Sequence, residues 1–221
     1  MDKDLLSIQQ VRDLLKAAKT AQAIYAEFTQ EQVDKVVEAM SMEVRKYAEK
    51  LAKMANEETG FGKWQDKVIK NKFAAEIVYE SIKGMKTIGI LGEKDSVMDV
   101  AVPVGVVAGL IPSTNPTSTV IYKTLISLKA GNGIIISPHP NAKKCIIETV
   151  EILKRAAYGA GAPEGLIGVI EIPTMEATAE LMKHKDTALI LATGGEAMVR
   201  AAYSSGTPAI GVGPGNGPAF I

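Results

Sequence analysis

Cysteine, histidine and tryptophan are nearly missing from these 221 residues: there are one Cys, two His and one Trp. A single thiol, Cys145, excludes an intramolecular disulfide and a zinc cluster built on cysteines. His139 and His184 alone are too few for a His-based metal site, so no metal is expected. An excess of charge is missing too, since 25 Lys+Arg balance 25 Asp+Glu. Without a basic excess to neutralise phosphates, no nucleic-acid partner is expected. The start, Met1-Asp2-Lys3-Asp4-Leu5, has no basic stretch leading into an apolar core, so it reads as no secretory signal. The uncharged run from Val100 to Tyr122 is long enough to span a bilayer but contains Pro103, Pro112 and Pro116. No membrane segment is expected, and the expected compartment is the cytosol. With 47% hydrophobic residues, the chain can bury enough surface to offset the entropy of ordering, which excludes disorder.

What is present is organised in three parts. Residues 1–83 read as a helical layer. Ile8, Val11, Leu14, Leu15 and Ala18 recur at helical spacing over 7–23. Thr29 to Gln32 fits a capping box, and an apolar stripe from Val33 to Ala55 predicts one helix ending at the Thr59-Gly60 C-cap. A third helix is predicted over Gln65 to Ile82. Residues 85–103 read as a short strand pair, Thr87–Leu91 and Met98–Val102, turned through Gly92 to Ser96. Residues 104–221 read as a Rossmann-like sheet: apolar runs near 106–111, 134–136, 167–170, 188–191 and 208–212 alternate with helices near 117–130, 141–159, 175–184 and 196–205. Continuous apolar runs predict strands covered on both faces. The fold class is therefore α/β, a doubly wound, mostly parallel sheet with an N-terminal helical layer.

Ligands in such sheets bind beyond the carboxyl ends of strands, and four ends here are chemically distinctive. Ile111-Pro112-Ser113-Thr114-Asn115-Pro116 leaves a strand and enters a helix; locally, helix capping explains it better than ligand binding. In Ser137-Pro138-His139-Pro140-Asn141, Ser137 and His139 could reach a ribose, whereas the plainer reading is a rigid connection capped by Asn141. Ala192-Thr193-Gly194-Gly195 opens a helix whose free N–H groups suit an anion such as a pyrophosphate, against a plain tight turn. The run from Gly211 to Pro218 holds more glycine than a turn needs, which implies a close approach of backbone or strained dihedrals. Cys145 reads as a core residue in mid-helix, without free N–H groups to stabilise a thiolate, and His184 as a solvated helix end.

Taken together, Pro103-Val104-Gly105-Val106-Val107, Ile111 to Thr119, Ser137-Pro138-His139-Pro140, Gly161-Ala162-Pro163-Glu164-Gly165, Leu191 to Gly195, Ala201 to Gly206 and Gly211 to Asn216 resemble the aldehyde dehydrogenase superfamily, and within it the CoA-acylating branch. The resemblance implies an NAD-binding portion of an enzyme converting aldehyde, CoA and NAD to acyl-CoA and NADH through a covalent thiohemiacetal and thioester. It implies Asn115 as oxyanion donor, and contacts to the cofactor from Ile111, Ser113, Thr114, Ser137, Pro138, His139, Thr193, Gly194, Gly195, Met198, Val212 and Gly213. A small aldehyde and CoA are the implied partners. A homo-oligomeric parent and association with a bacterial microcompartment are compatible with the branch.

Two departures refine the expectation. Hydrolytic relatives carry a glutamate before the glycine run, where this sequence has the apolar Val212; an attached thioester would then await CoA instead of water. The family's nucleophilic Cys lies beyond the glycine run, and Cys145 does not match it, so the catalytic domain is expected to be absent and the chain alone inactive. The alternative function is a non-catalytic structural or nucleotide-binding module of the same fold. Another superfamily member acting on an acyl phosphate fits less well, given Ser137 to Pro140 and Ala202 to Gly206.

Overall fold

The computed structural model describes residues 2–213. Helix α1 (Lys3–Tyr25) buries Val11, Leu15, Ala18 and Tyr25 along one face. Helix α2 (Gln30–Lys46) begins at the predicted capping box, with the Thr29 hydroxyl accepting from the Gln32 N–H and the Gln32 side chain accepting from the Thr29 N–H. The single helix expected as far as Gly60 is two. It breaks at Tyr47, whose φ of −102° and ψ of 5° leave the helical range, and α3 (Ala48–Thr59) then ends on Gly60 at φ 69°.

The helix expected over 65–82 is interrupted as well. Helix α4 (Trp64–Lys72) passes into a π-helical turn, Phe73–Ile77, before α5 (Val78–Ile82). Such a turn shifts backbone hydrogen bonding out of the α register. Here the Ala75 carbonyl accepts from the Ser41 hydroxyl at 2.7 Å and from the Arg45 guanidinium at 3.2 Å. The hairpin of β1 (Gly89–Lys94) and β2 (Val97–Ala101) is tighter than expected. Its two-residue turn places Asp95 and Ser96 at φ 50° and 64°, a conformation that matches the twist of the flanking strands.

The remaining strands are β3 (Val106–Leu110), β4 (Gly133–Ser137), β5 (Ile167–Val169), β6 (Thr187–Thr193) and β7 (Ala209–Val212). All four pairings among them are parallel, in the order β5-β4-β3-β6-β7. Helices α6 (Pro116–Lys129), α7 (Lys143–Gly159), α8 (Met175–Lys183) and α9 (Glu196–Tyr203) connect them. One face of the sheet packs Val107, Ile134 and Ile136 against α6 and α7, with α2 and α3 outside these. The other packs Ala108, Ile135 and Ile190 against α1, α8 and α9. The Ile135 side chain packs directly over Gly168, where a Cβ would stand 2.6 Å from Ile135 Cδ1. Coverage is uneven. β3, β4 and β5 are buried throughout, as expected, but β7 at the sheet edge is not: Ile210 and Val212 point outward.

Candidate functional site

Strand order reverses direction between β3 and β6, the place where a doubly wound sheet opens a crevice at its carboxyl edge. A crevice of about 820 Å³ lies there, and every residue expected to contact a cofactor lines it. Ile111, Ser113, Thr114 and Asn115 come from the end of β3; Ser137, Pro138 and His139 from β4; Thr193, Gly194, Gly195 and Met198 from β6 and α9; Val212 and Gly213 from β7. The turns thus converge on one hollow. Pro214 to Pro218, the rest of the glycine run, lies outside the described residues.

Asn115 is the N-cap of α6, and Lys70 from α4 donates to its Oδ1 at 2.9 Å. Holding the oxygen leaves the amide N–H₂ as the end available to a ligand. Lys67 donates to the Thr114 carbonyl at 2.8 Å and so pins the same turn from the same helix; burial pulls its own pKa down. Asn115 and Thr119 also border a second hollow, lined by Phe73, Val78 and Tyr122 among others. Asn115 therefore stands between the two.

At β4, Ser137 is only 4% exposed, and its hydroxyl shares a hydrogen bond of 3.1 Å with Thr178. The cap of the turn that follows is His139 and not Asn141: His139 Nδ1 accepts the Asn141 N–H at 3.1 Å. At β6, neither Gly194 nor Gly195 has a positive φ. A Cβ on Gly195 would meet nothing within 4 Å, so this glycine leaves open space at the start of α9. Gly211 does mark a close approach, but to α9. A Cβ there would stand 2.7 Å from Val199 Cγ1 and 3.0 Å from Tyr203 Cε2.

Cys145 and His184 require corrections. Helix α7 begins at Lys143, which puts Cys145 in its first turn, not in mid-helix. Its N–H is taken by Glu58 Oε2 at 2.8 Å, beside the Lys144 N–H on Glu58 Oε1 at 2.7 Å. Burial, then the Glu58 carboxylate, push the thiol far above its ordinary pKa. It remains a core thiol, for a different reason from the one expected. His184 is half-buried, and its Nδ1 accepts the Asp186 N–H at 3.2 Å.

Three groups of lining or supporting residues were not picked out as site residues from the sequence. Pro173, Thr174, Met175 and Thr178 bring the start of α8 to the crevice, but Thr174 reads as an ordinary N-cap. Asn141 and Thr119 also line it. Lys123 is the third: it is 1% exposed, and its ammonium donates to the carbonyls of Leu110 and Leu191, each at 2.7 Å. It ties the ends of β3 and β6 together beneath the crevice, and burial lowers its pKa to about 7. A charge amid the apolar residues of 120–128 was the signal that could have found it.

The sequence pattern of the aldehyde dehydrogenase family matches residues 5–210. The chain belongs to the aldehyde dehydrogenase family. The bifunctional aldehyde-alcohol dehydrogenase of Escherichia coli strain K12 is 50% identical over 217 residues, 97% of this chain and 24% of that protein. Two solved structures superpose closely. A probable aldehyde dehydrogenase from Listeria monocytogenes has 65% identity and a TM-score of 0.97 over 99% of this chain and 49% of its own. An acetylating aldehyde dehydrogenase from Geobacillus thermoglucosidasius has 58% identity and a TM-score of 0.96 over 97% and 48%. At 32% identity, a propionaldehyde dehydrogenase from Rhodopseudomonas palustris is solved with propionyl-CoA and an engineered glycolyl-CoA reductase with NADP+. This aldehyde dehydrogenase chain thus spans about a quarter of the bifunctional relative and about half of the solved ones. Among the described residues, no helix is long and apolar enough to cross a membrane.

Proposed function

We propose that the crevice is the nucleotide site of a CoA-acylating aldehyde dehydrogenase, holding NAD, and that the parent reaction converts an aldehyde, CoA and NAD to acyl-CoA and NADH. The observation that carries this reading is the convergence of four strand ends on one hollow at the reversal of strand order. The hollow fits a dinucleotide in size, in its largely apolar wall and in the space left at Gly195. When bound, NAD supplies the hydride acceptor.

The chain's own residues position and stabilise. Lys70 holds Asn115 Oδ1, so the opposite end of the amide is presented as donor to an oxygen gaining charge, in a partly buried place where such a donor counts most. Asn115 lies where the large crevice meets the apolar second hollow of about 590 Å³, which suits the aldehyde's carbon chain. Val212, at the lip, cannot take a proton and so activates no water. The thiolate that attacks the aldehyde is not supplied by these 221 residues, because Cys145 is buried, bonded to the Ala142 carbonyl and held protonated.

Calorimetric titration of the chain with NAD tests the reading. Saturable binding is expected, together with its loss on Gly195→Trp, which fills the hollow. The chain alone should form no NADH from aldehyde and CoA. Absence of NAD binding contradicts the nucleotide assignment, and CoA-dependent NADH formation contradicts the placement of the nucleophile.

A further inference from the structure

Phe73 and Ile77 are four residues apart, and in an unbroken helix that spacing puts two side chains on one face. Here they do not share the second hollow. Its wall takes Phe73 and Ala74 from the π-helical turn and then Val78, while Ile77 is 55% exposed and lies outside it. The turn is the cause. The Val78 N–H reaches back five residues to the Phe73 carbonyl, so one extra residue is housed between them and Val78 follows Phe73 along the wall in place of Ile77. Val78 is smaller by one methylene, which leaves the hollow deeper. Phe73-Ala74-Ala75-Glu76-Ile77 contains no glycine or proline that would break an α-helix, so the register is imposed from outside.

What imposes it comes from α2. The Ser41 hydroxyl donates to the Ala75 carbonyl at 2.7 Å, and the Arg45 guanidinium donates to the same carbonyl at 3.2 Å and to Ser41 Oγ at 2.8 Å. Ser41 is fully buried and Ala75 is 1% exposed, so water offers this carbonyl no substitute. Arg45 also stands over the Tyr79 ring, 5.6 Å from its centroid, just past the turn. One guanidinium thus holds both sides of the turn, although its own Nε is left buried without a partner among the described residues. Neither Ser41 nor Arg45 lines the hollow.

We propose that Ser41 and Arg45 are positioning residues that set the length of aliphatic chain the second hollow accepts, by holding the π-helical turn in its five-residue register. This rests on the reading of that hollow as the place of the aldehyde's carbon chain. The test replaces aldehydes by unreactive amides, butyramide and hexanamide. Each is titrated into the isotope-labelled 221-residue chain while the Ser118 and Thr119 amide signals are followed by nuclear magnetic resonance. Wild type should bind hexanamide more tightly by about fivefold or more. Arg45→Met and Ser41→Ala, each checked for native circular dichroism, let the turn relax to α spacing and bring Ile77 into the wall; each should cut that preference by about threefold or more. Deletion of Glu76 removes the extra residue and leaves Val78 four residues from Phe73, so in the Arg45→Met chain it should restore the wild-type preference. A general loss of stability would weaken both amides alike and would not be repaired by a deletion. Should Arg45→Met not fold, the same outcomes are read on Ser41→Ala, with and without the deletion. Equal binding of the two amides by wild type, a preference that both substitutions leave in place, or one that is lost and not restored by the deletion overturns the inference and leaves the aldehyde reading standing. Binding of neither amide by wild type overturns the aldehyde reading, and the inference with it.

Discussion

Every residue of β4, Gly133 to Ser137, is buried, whereas in β7 Ile210 and Val212 are 59% and 62% exposed. Both strands belong to one parallel sheet, and both read in sequence as short apolar runs. The difference lies in what covers them. β4 has neighbouring strands on both sides, α1 on one face and α6 on the other. β7 lies at the edge of the described sheet and receives α9 on one face, through Val199 and Tyr203 against Gly211. An apolar run therefore states that a strand needs covering, not how many faces the residues in hand cover. The crevice straddles this contrast: its β3 and β4 wall is built on the sealed core, and its α9 and β7 wall on the open edge.

Substitutions should reproduce the contrast. Ile135→Ala, in β4, deletes a side chain with no exposure and should cost about 2–5 kcal/mol. Ile210→Ala, in β7, should change stability by less than about 0.5 kcal/mol. Similar losses for the two in urea unfolding would erase the distinction.

Lys123→Met removes the ammonium that joins the two walls, and the unpaired Leu110 and Leu191 carbonyls should cost about 1–3 kcal/mol. The folded pKa near 7 lies below the unfolded value, so between about pH 7 and 10 the unfolded chain binds more protons at this site. Wild-type stability should therefore rise with pH across that window relative to Lys123→Met, and decline as pH falls through 7. A difference between the two that stays constant from pH 6 to pH 9 would rule out a neutral buried amine.

Gly211→Ala forces a Cβ against Val199 and Tyr203 and should displace α9, at about 1–3 kcal/mol or somewhat less, because this edge can give. Since α9 carries Gly195 and Met198 into the crevice wall, NAD affinity should fall with it. Unaltered affinity in a destabilised variant would separate edge packing from the site.

Much of this was legible in the residues. Ile111 to Asn115, Ser137 to His139 and Thr193 to Gly195 combine proline, glycine and small polar groups at the ends of apolar runs, which is how a strand leaving a core for a ligand differs from one entering a turn. The helix break at Tyr47 and the π-helical turn at Phe73–Ile77 were not legible, because tertiary contacts such as Ser41 and Arg45 on the Ala75 carbonyl stabilise the irregularity. The surroundings of Cys145 were misread by a helix boundary displaced by two residues, which hid its place in the first turn and its bond to Glu58. The start of α8 was missed because Thr174 caps a helix whether or not a crevice lies beside it.

Hydrogen exchange read by mass spectrometry, with and without saturating NAD, tests the central claim most directly. Slower exchange is expected together over 111–119, 137–142 and 193–199, with the larger change on the α9 side, where the unliganded chain is less tightly packed. The β1–β2 hairpin at 89–101, away from the crevice lining, should stay as it was. Protection confined to the hairpin, or absent from all three strand-end segments at saturation, would contradict the account.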